Sequence, residues 1–330
     1  MCTAVTFTDK KSHHYLARTM DFSFELETRV VSIPKNYVFD SLVSDCSFKS
    51  EHAFLAVGQK IEGYGYSFGD GFNEKGFAIA SLYFEKYAKY SAAPIDGKTN
   101  LASTDLVAWA LGNSESVDEF AQKISSINIV DVVNPVIMEK VPLHWIVTDS
   151  FGNDGVLEIT ESGVHFYRNQ VGVMTNPPEF PWHMENLNHY NNLQSNDFGS
   201  KIYGDFTTFW DGPGSGTRGL PGDYTSISRF VRAAYVRQYS ERENGLVALS
   251  HILNAVDIPK GVKKKSDGHS DYTQYKAILD LDDQCYYFMK YGDAAFMKSF
   301  LDSNSDEVEE FFSIKNFLDN LKKMFDKLKR

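Results

Sequence analysis

Hydrophobic and polar residues alternate with a period of two in short runs along the first part of the chain. Residues 3–8 (Thr-Ala-Val-Thr-Phe-Thr) and 14–20 (His-Tyr-Leu-Ala-Arg-Thr-Met) are β-prone and separated by a polar turn, so they predict a hairpin. Further strands are predicted over 28–33, 53–57, 77–84, 143–148, 155–160, 163–167 and 171–175. Short strands joined by turns imply antiparallel pairing. Helical spacing is read over 104–111, ended by Gly112, and from Ser116 to about 124, where Ser116 and Glu119 form a capping box. Helices are also predicted over 228–239 and 245–256, then strands over 272–281 and 285–291 around the turn-prone Asp282-Asp283. Strands, then helices, then strands, without βαβ alternation, predict an α+β fold of mainly antiparallel sheets. With no repeat or composition break, residues 1–312 read as one domain. Residues 313–330 read as an amphipathic helical extension, with Ile314, Phe317, Leu318, Leu321, Met324, Phe325 and Leu328 on one face and basic residues largely opposite. That face would pack on its own protein or a neighbouring subunit, or lie on an anionic membrane.

Composition narrows the class. Apolar residues make up 42 % and aromatic residues 14 % of the 330, which indicates an ordered globular chain with large side chains for lining a pocket. The net charge of −11 gives no general attraction to nucleic acid or anionic membrane. Cys2, Cys46 and Cys285 are too few and too scattered for a disulfide framework or a zinc site, which suits a reducing compartment. The Asp9–His14 polar stretch interrupts any signal-peptide apolar region, and no run of about 18 apolar residues occurs, so a cytoplasmic protein is expected.

The chemistry begins at Met1-Cys2. Cys is small enough for methionine aminopeptidase to remove the residue before it, which would leave one residue carrying a thiol and a free α-amine. An α-amine titrating near about 7.7–8 is a base tethered to its own nucleophile. Arg18 and Asp21 lie on the strand that the hairpin returns beside Cys2. There an Asp can hold the amine and an Arg favours the thiolate. Asn176, where a strand is halted by Pro177-Pro178, can donate to an oxyanion or simply form a turn. Arg229 falls at a helix start, where the helix dipole gives a cation nothing, so it serves a local purpose or a surface salt bridge. Gly214-Ser215-Gly216-Thr217-Arg218-Gly219 satisfies GxGxxG, but Asp211-Gly212-Pro213 and Pro221 break the strand and helix that a dinucleotide site requires. The stretch 192–223 reads instead as a long surface or assembly loop. His183 and His189 lack i,i+4 spacing, and the nine histidines read as structural or solvated rather than metal-binding.

Six separated motifs, in order, then carry a resemblance. Met1-Cys2-Thr3, Arg18-Thr19-Met20-Asp21, Asp70-Gly71-Phe72-Asn73-Glu74-Lys75-Gly76, Pro142-Leu143-His144-Trp145, Val173-Met174-Thr175-Asn176, and Gly219-Leu220-Pro221-Gly222-Asp223 with Ser228-Arg229-Phe230 are similar to the choloylglycine hydrolase family. These are the bile salt hydrolases and penicillin V acylases among the N-terminal-nucleophile hydrolases. The resemblance implies a four-layer αββα sandwich, assembled as a homotetramer, that cleaves a linear amide without metal or cofactor. It implies that Cys2 is the nucleophile, that Asp21 orients its amine and that Arg18 tunes the thiolate. Asn176 and position 83 would serve the oxyanion, and Arg229 would support the cluster. Tyr83 stands where bile salt hydrolases have Asn and penicillin V acylases have Tyr, so the expectation leans to penicillin V acylase with bile salt hydrolase as the alternative. Met20, Phe24, Phe68, Val136 and Ile137 are expected to hold the acyl group of a small-molecule amide. If Met1 stayed in place, the same scaffold would be a non-catalytic binding protein.

Overall fold

The computed structural model describes residues 1–135, 137–209 and 212–311. Val136 and the expected helical extension lie outside the described residues. Two antiparallel sheets face each other between two helical layers, the αββα arrangement that the resemblance implied. One sheet has six strands, in the order Val173–Met174, β1 (Cys2–Thr8), β2 (His14–Phe22), Tyr272–Asp280, Cys285–Lys290 and Met297–Phe300. The other has eight, running Gly163–Arg168, Asp154–Thr160, Leu143–Asp149, Phe77–Tyr83, Gly65–Asn73, Phe54–Ile61, Arg29–Ile33 and Glu309–Phe311. Helices α1 (Leu106–Asn113) and α2 (Val117–Lys123) cover the eight-stranded sheet. Two others cover the six-stranded sheet: α4 (Ser226–Tyr239) and α5 (Gly245–Val256), with α3 (Phe180–Leu187) beside α4. Because β1 lies between helices and the other sheet, six of its seven residues are buried, Thr3 and Thr6 among them.

Several expectations shift by a few residues for identifiable reasons. Gly112 does not end α1. A Cβ there would meet Ser50 Oγ at 2.6 Å, so the glycine lets the last turn pack against Ser50 while the helix runs on to Asn113. Ser116 caps α2 by accepting from the Glu119 N–H at 3.2 Å, but the Glu119 carboxylate bonds the Glu115 N–H, so the box is only half closed. One local pairing, Thr99–Ala102 with Ile127–Val130, is parallel. Among the described residues no helix is long and apolar enough to cross a membrane.

Candidate active site

The hairpin register creates the site. Cys2 pairs with Met20 and Ala4 with Arg18 across β1 and β2, while Arg18 and Asp21 pair with Ala277 and Thr273 on the far side. Side chains alternate across a strand, so Arg18 and Met20 share one face of the sheet and Thr19 and Asp21 the other. A separation of three therefore sends Arg18 and Asp21 to opposite faces. On the inter-sheet face the Cys2 Sγ lies 3.7 Å from Met20 Sδ, beside Arg18. On the helix face Asp21 meets Arg229 of α4, Nη1 to Oδ2 at 3.6 Å, both fully buried. Because Ala4 pairs with Met174 antiparallel, the next step of the register brings Asn176 opposite Cys2.

Asn176 joins the two halves. Its Oδ1 accepts from the Cys2 N–H at 2.6 Å and from Arg229 Nη2 at 2.9 Å, and its Nδ2 donates to the Tyr83 carbonyl at 2.8 Å. Arg229 Nη1 donates to the Cys2 carbonyl and to Thr3 Oγ1, each at 2.6 Å. Asp21 accepts from Thr273 Oγ1 at 2.6 Å and Thr19 Oγ1 at 3.2 Å, so with Met1 in place the Cys2 nitrogen is held by Asn176 rather than by the Asp21 carboxylate. Met1 continues the strand pairing: its amine donates to the Asp21 carbonyl, and its own carbonyl accepts from the Asp21 N–H at 2.8 Å.

Burial governs the charges. It raises the Asp21 pKa above the usual carboxylate value against the pull of Arg229 and the amino terminus, and it lowers Arg229 against the pull of Asp21 and Cys2. At 3.6 Å the pair is too long for attraction to offset desolvation. Arg18 is set differently. Burial alone would lower it, yet Tyr275, Cys2 and Asp70 hold it above its ordinary value. Its Nη1 donates to Asp70 Oδ2 at 3.2 Å, to the Gly69 carbonyl at 3.1 Å and to the Ser81 carbonyl at 3.0 Å. Asp70 also accepts from the Tyr275 hydroxyl at 2.7 Å and from the Tyr286 hydroxyl. Burial and Asp70 push both phenols well up, so they stay neutral donors.

An apolar cleft opens over Cys2 and Met20. Phe24, Phe68 and Ile137 line it, together with Phe22, Leu26, Ile61, Leu143 and Tyr275. An outer cleft shares Phe22, Phe24, Tyr83 and Ile137 and adds Met1, Glu85, Glu139, Lys263, Lys265 and Asp271. Tyr83 thus sits at the neck between an apolar and a charged chamber, its ring edge-on to Phe22 at 5.8 Å. Its main-chain carbonyl, not its phenol, is what holds Asn176. Burial, Glu85 and Glu139 raise its pKa, and both carboxylates belong to the outer cleft.

The structure therefore brings together Cys2, Arg18, Asp21, Asn176 and Arg229, with Tyr83 at the rim. Sequence reasoning missed Asp70, Tyr275 and Tyr286. Asp70 opened one of the six motifs, but nothing local to it says that its partner is Arg18. Among the described residues of the loop 192–223 no nucleotide cradle forms: Ser215–Thr217 is a short 3-10 turn, and Asp197 Oδ1 accepts from the Gly214 and Ser215 N–H groups.

A family model described as linear amide C-N hydrolases, choloylglycine hydrolase family, matches residues 2–319. A bile salt hydrolase/transferase of Clostridium perfringens is 34 % identical over 298 residues, 88 % of this chain and 89 % of the relative. A penicillin V acylase of Pectobacterium atrosepticum is 25 % identical over 316 residues, 87 % of this chain and 77 % of the relative. Among solved structures, a variant of conjugated bile acid hydrolase from Clostridium perfringens matches with a TM-score of 0.89 at 31 % identity, covering 95 % of this chain and 98 % of that one. Penicillin V acylase from Agrobacterium tumefaciens has a TM-score of 0.74 at 19 % identity over 94 % and 90 %, a likeness of fold alone.

Proposed function

The chain belongs to the choloylglycine hydrolase family of linear amide C–N hydrolases, and from that premise we propose that it is a bile salt hydrolase that splits the amide of a conjugated bile acid with Cys2 as nucleophile. The observation that carries the mechanism is the Cys2 thiol at the floor of an apolar cleft, with Asn176 bonded to its nitrogen. Removal of Met1 turns that nitrogen into an amine, which Asn176 Oδ1 and the buried Asp21–Arg229 pair are placed to orient. The amine takes the thiol proton, and sulfur attacks the amide carbonyl. The oxyanion accepts from Asn176 Nδ2, which has a second hydrogen besides the one given to Tyr83, and from a main-chain N–H. Collapse breaks the C–N bond, the α-ammonium protonates the leaving amine, and water, deprotonated by the same amine, hydrolyses the thioester. Arg18 stabilises the thiolate from the inter-sheet face.

The expectation of penicillin V acylase, drawn from Tyr83, gives way. Relatives that cleave bile salts are more similar than the penicillin V acylase, 34 % against 25 % identity. Position 83 also meets the site through its carbonyl, an atom that Asn and Tyr share. Penicillin V remains the second reading because the flat Tyr83 ring at the neck suits a phenoxyacetyl group. Side-by-side kinetics decide between them. Glycocholate and taurocholate should be cleaved with kcat/KM at least tenfold above penicillin V, and the reverse order would overturn the bile-salt reading. Intact mass should show loss of one methionine, and Cys2→Ser should lower kcat by several orders of magnitude while the fold survives. Retained Met1 would favour the non-catalytic alternative.

The same reading includes a homotetramer. The stretch 192–223 carries an outlying hairpin, Ile202–Tyr203 with Phe206–Thr207, whose apolar side chains are exposed, and Phe209 beside it is 84 % exposed. Such a patch is suited to a second copy. Sedimentation should show a tetramer that Phe206→Asp with Phe209→Asp reduces to smaller species. A double variant that sediments as the wild type does would remove the hairpin from the interface.

A further inference from the structure

We propose that His183, together with Ser226, is a positioning residue for this reaction: it fixes the main chain of Asn176 so that the amide Nδ2 meets the oxyanion, and it acts through Asn176 without touching substrate. The inference rests on the amide-hydrolase reading above and gives a task to a histidine that sequence reasoning left as structural.

Asn176 needs such support. The ladder of the six-stranded sheet stops at Met174, and Pro177 and Pro178 have no N–H with which to continue it. The Asn176 peptide is instead held from the helical layer. Its N–H donates to Ser226 Oγ at 2.9 Å, and its carbonyl accepts from Ser226 Oγ at 2.7 Å and from His183 Nε2 at 3.0 Å. The preceding carbonyl, of Thr175, is taken by His144 Nε2 at 2.8 Å, and His144 is backed in turn by Glu158 at 3.0 Å. Two buried imidazoles, one from the strand Leu143–Asp149 and one from α3, thus grip consecutive carbonyls where the chain leaves the sheet beside Cys2.

The chemistry of His183 points to the bond rather than to bulk. A carbonyl can only accept, so Nε2 carries the ring proton and Nδ1 is bare. Among the described residues that buried Nδ1 has no hydrogen-bond partner, and an unmet acceptor costs free energy that an apolar ring would avoid. The ring stacks on Phe230, centroids 4.5 Å apart and planes 16° from parallel, a niche that phenylalanine would also fill. What the imidazole adds is the Nε2–H. Burial pushes its pKa down to about 4, so it donates without placing a second cation near Arg229.

His183→Phe keeps the stack and removes the donor, whereas His183→Gln keeps a donor. With glycocholate, and penicillin V as the second amide, His183→Phe should lower kcat about 10- to 100-fold with KM changed less than about twofold, short of the loss of an oxyanion donor itself. His183→Gln should restore most of it. In an Asn176→Ala background His183→Phe should have no further effect, a coupling that a generally structural role would not produce. Should His183→Phe fail to fold, Ser226→Ala removes one hydroxyl and should show the same kcat loss and the same silence with Asn176→Ala. Wild-type kcat in His183→Phe, or an undiminished loss in the Asn176→Ala background, would overturn the proposal. Failure of the wild type to cleave either amide would instead overturn the reading beneath it.

Discussion

His183 also links the site to pH. Its pKa is 6.5 in an open chain and about 4 when folded, so between those values the unfolded chain binds a proton that the native one refuses. The stability from this group is therefore full above about pH 6.5 and is lost as pH falls towards 4, about 3 kcal/mol in all. Carboxylates such as Asp105 and Asp154, which burial raises, work in the opposite sense. Urea melts from pH 4.5 to 7 should thus be compared between wild type and His183→Phe. The variant should show the flatter acid slope, and identical slopes would mean that folding does not lower the His183 pKa. Histidines like this one escape sequence reading because their partners are main-chain carbonyls brought together only by folding. Cys2, Arg18 and Asp21 were legible because one hairpin joins them, whereas Asn176 and Arg229 read equally well as a turn residue and a surface salt bridge and were singled out by the family resemblance. The carboxylate that holds Arg18 was not, since Asp70 belongs to the opposite sheet.

Strands and helices were legible in proportion to their pattern. β1, β2, α4 and α5 carry clear two-fold or 3.6-fold spacing and form where expected. The strand Gly65–Asn73 was missed, because glycines at 65, 69 and 71 interrupt its alternation. Gly65 takes a left-handed φ of +93°, while Gly69 and Gly71 reflect packing that a linear pattern cannot show. A Cβ on Gly71 would come within 2.6 Å of the Ala56 Cβ and 2.8 Å of Leu111 Cδ1, so its absence lets α1 close on the sheet. Gly71→Ala should lower stability by about 1–3 kcal/mol through overpacking. An unchanged denaturation midpoint would show that both α1 and the neighbouring strand, whose Leu55 carbonyl would lie 2.7 Å from that Cβ, can give way freely. The helix α3 was missed for another reason: it is short, follows two prolines and buries only Phe180 and His183.

The α+β class follows from the order of strands and helices, but the facing of the two sheets does not. That facing places Asp70 and Tyr275 around Arg18 and leaves the apolar cleft between the layers. It also fixes how the chain begins. Met1 is laced to Asp21 by two main-chain bonds, and Arg229 Nη2 approaches its sulfur at 3.9 Å. An aminopeptidase must draw its substrate out as a loose end, and here the end is sewn into a sheet. If Cys2 is the nucleophile, a chain trimmed before the hairpin closes would be active, and one that folds first with Met1 paired to Asp21 would be silent. Folded protein that retains Met1 should accordingly gain no activity on incubation with methionine aminopeptidase, whereas the same protein unfolded, trimmed and refolded should. Ready activation of the folded form would show that this stitch opens on its own.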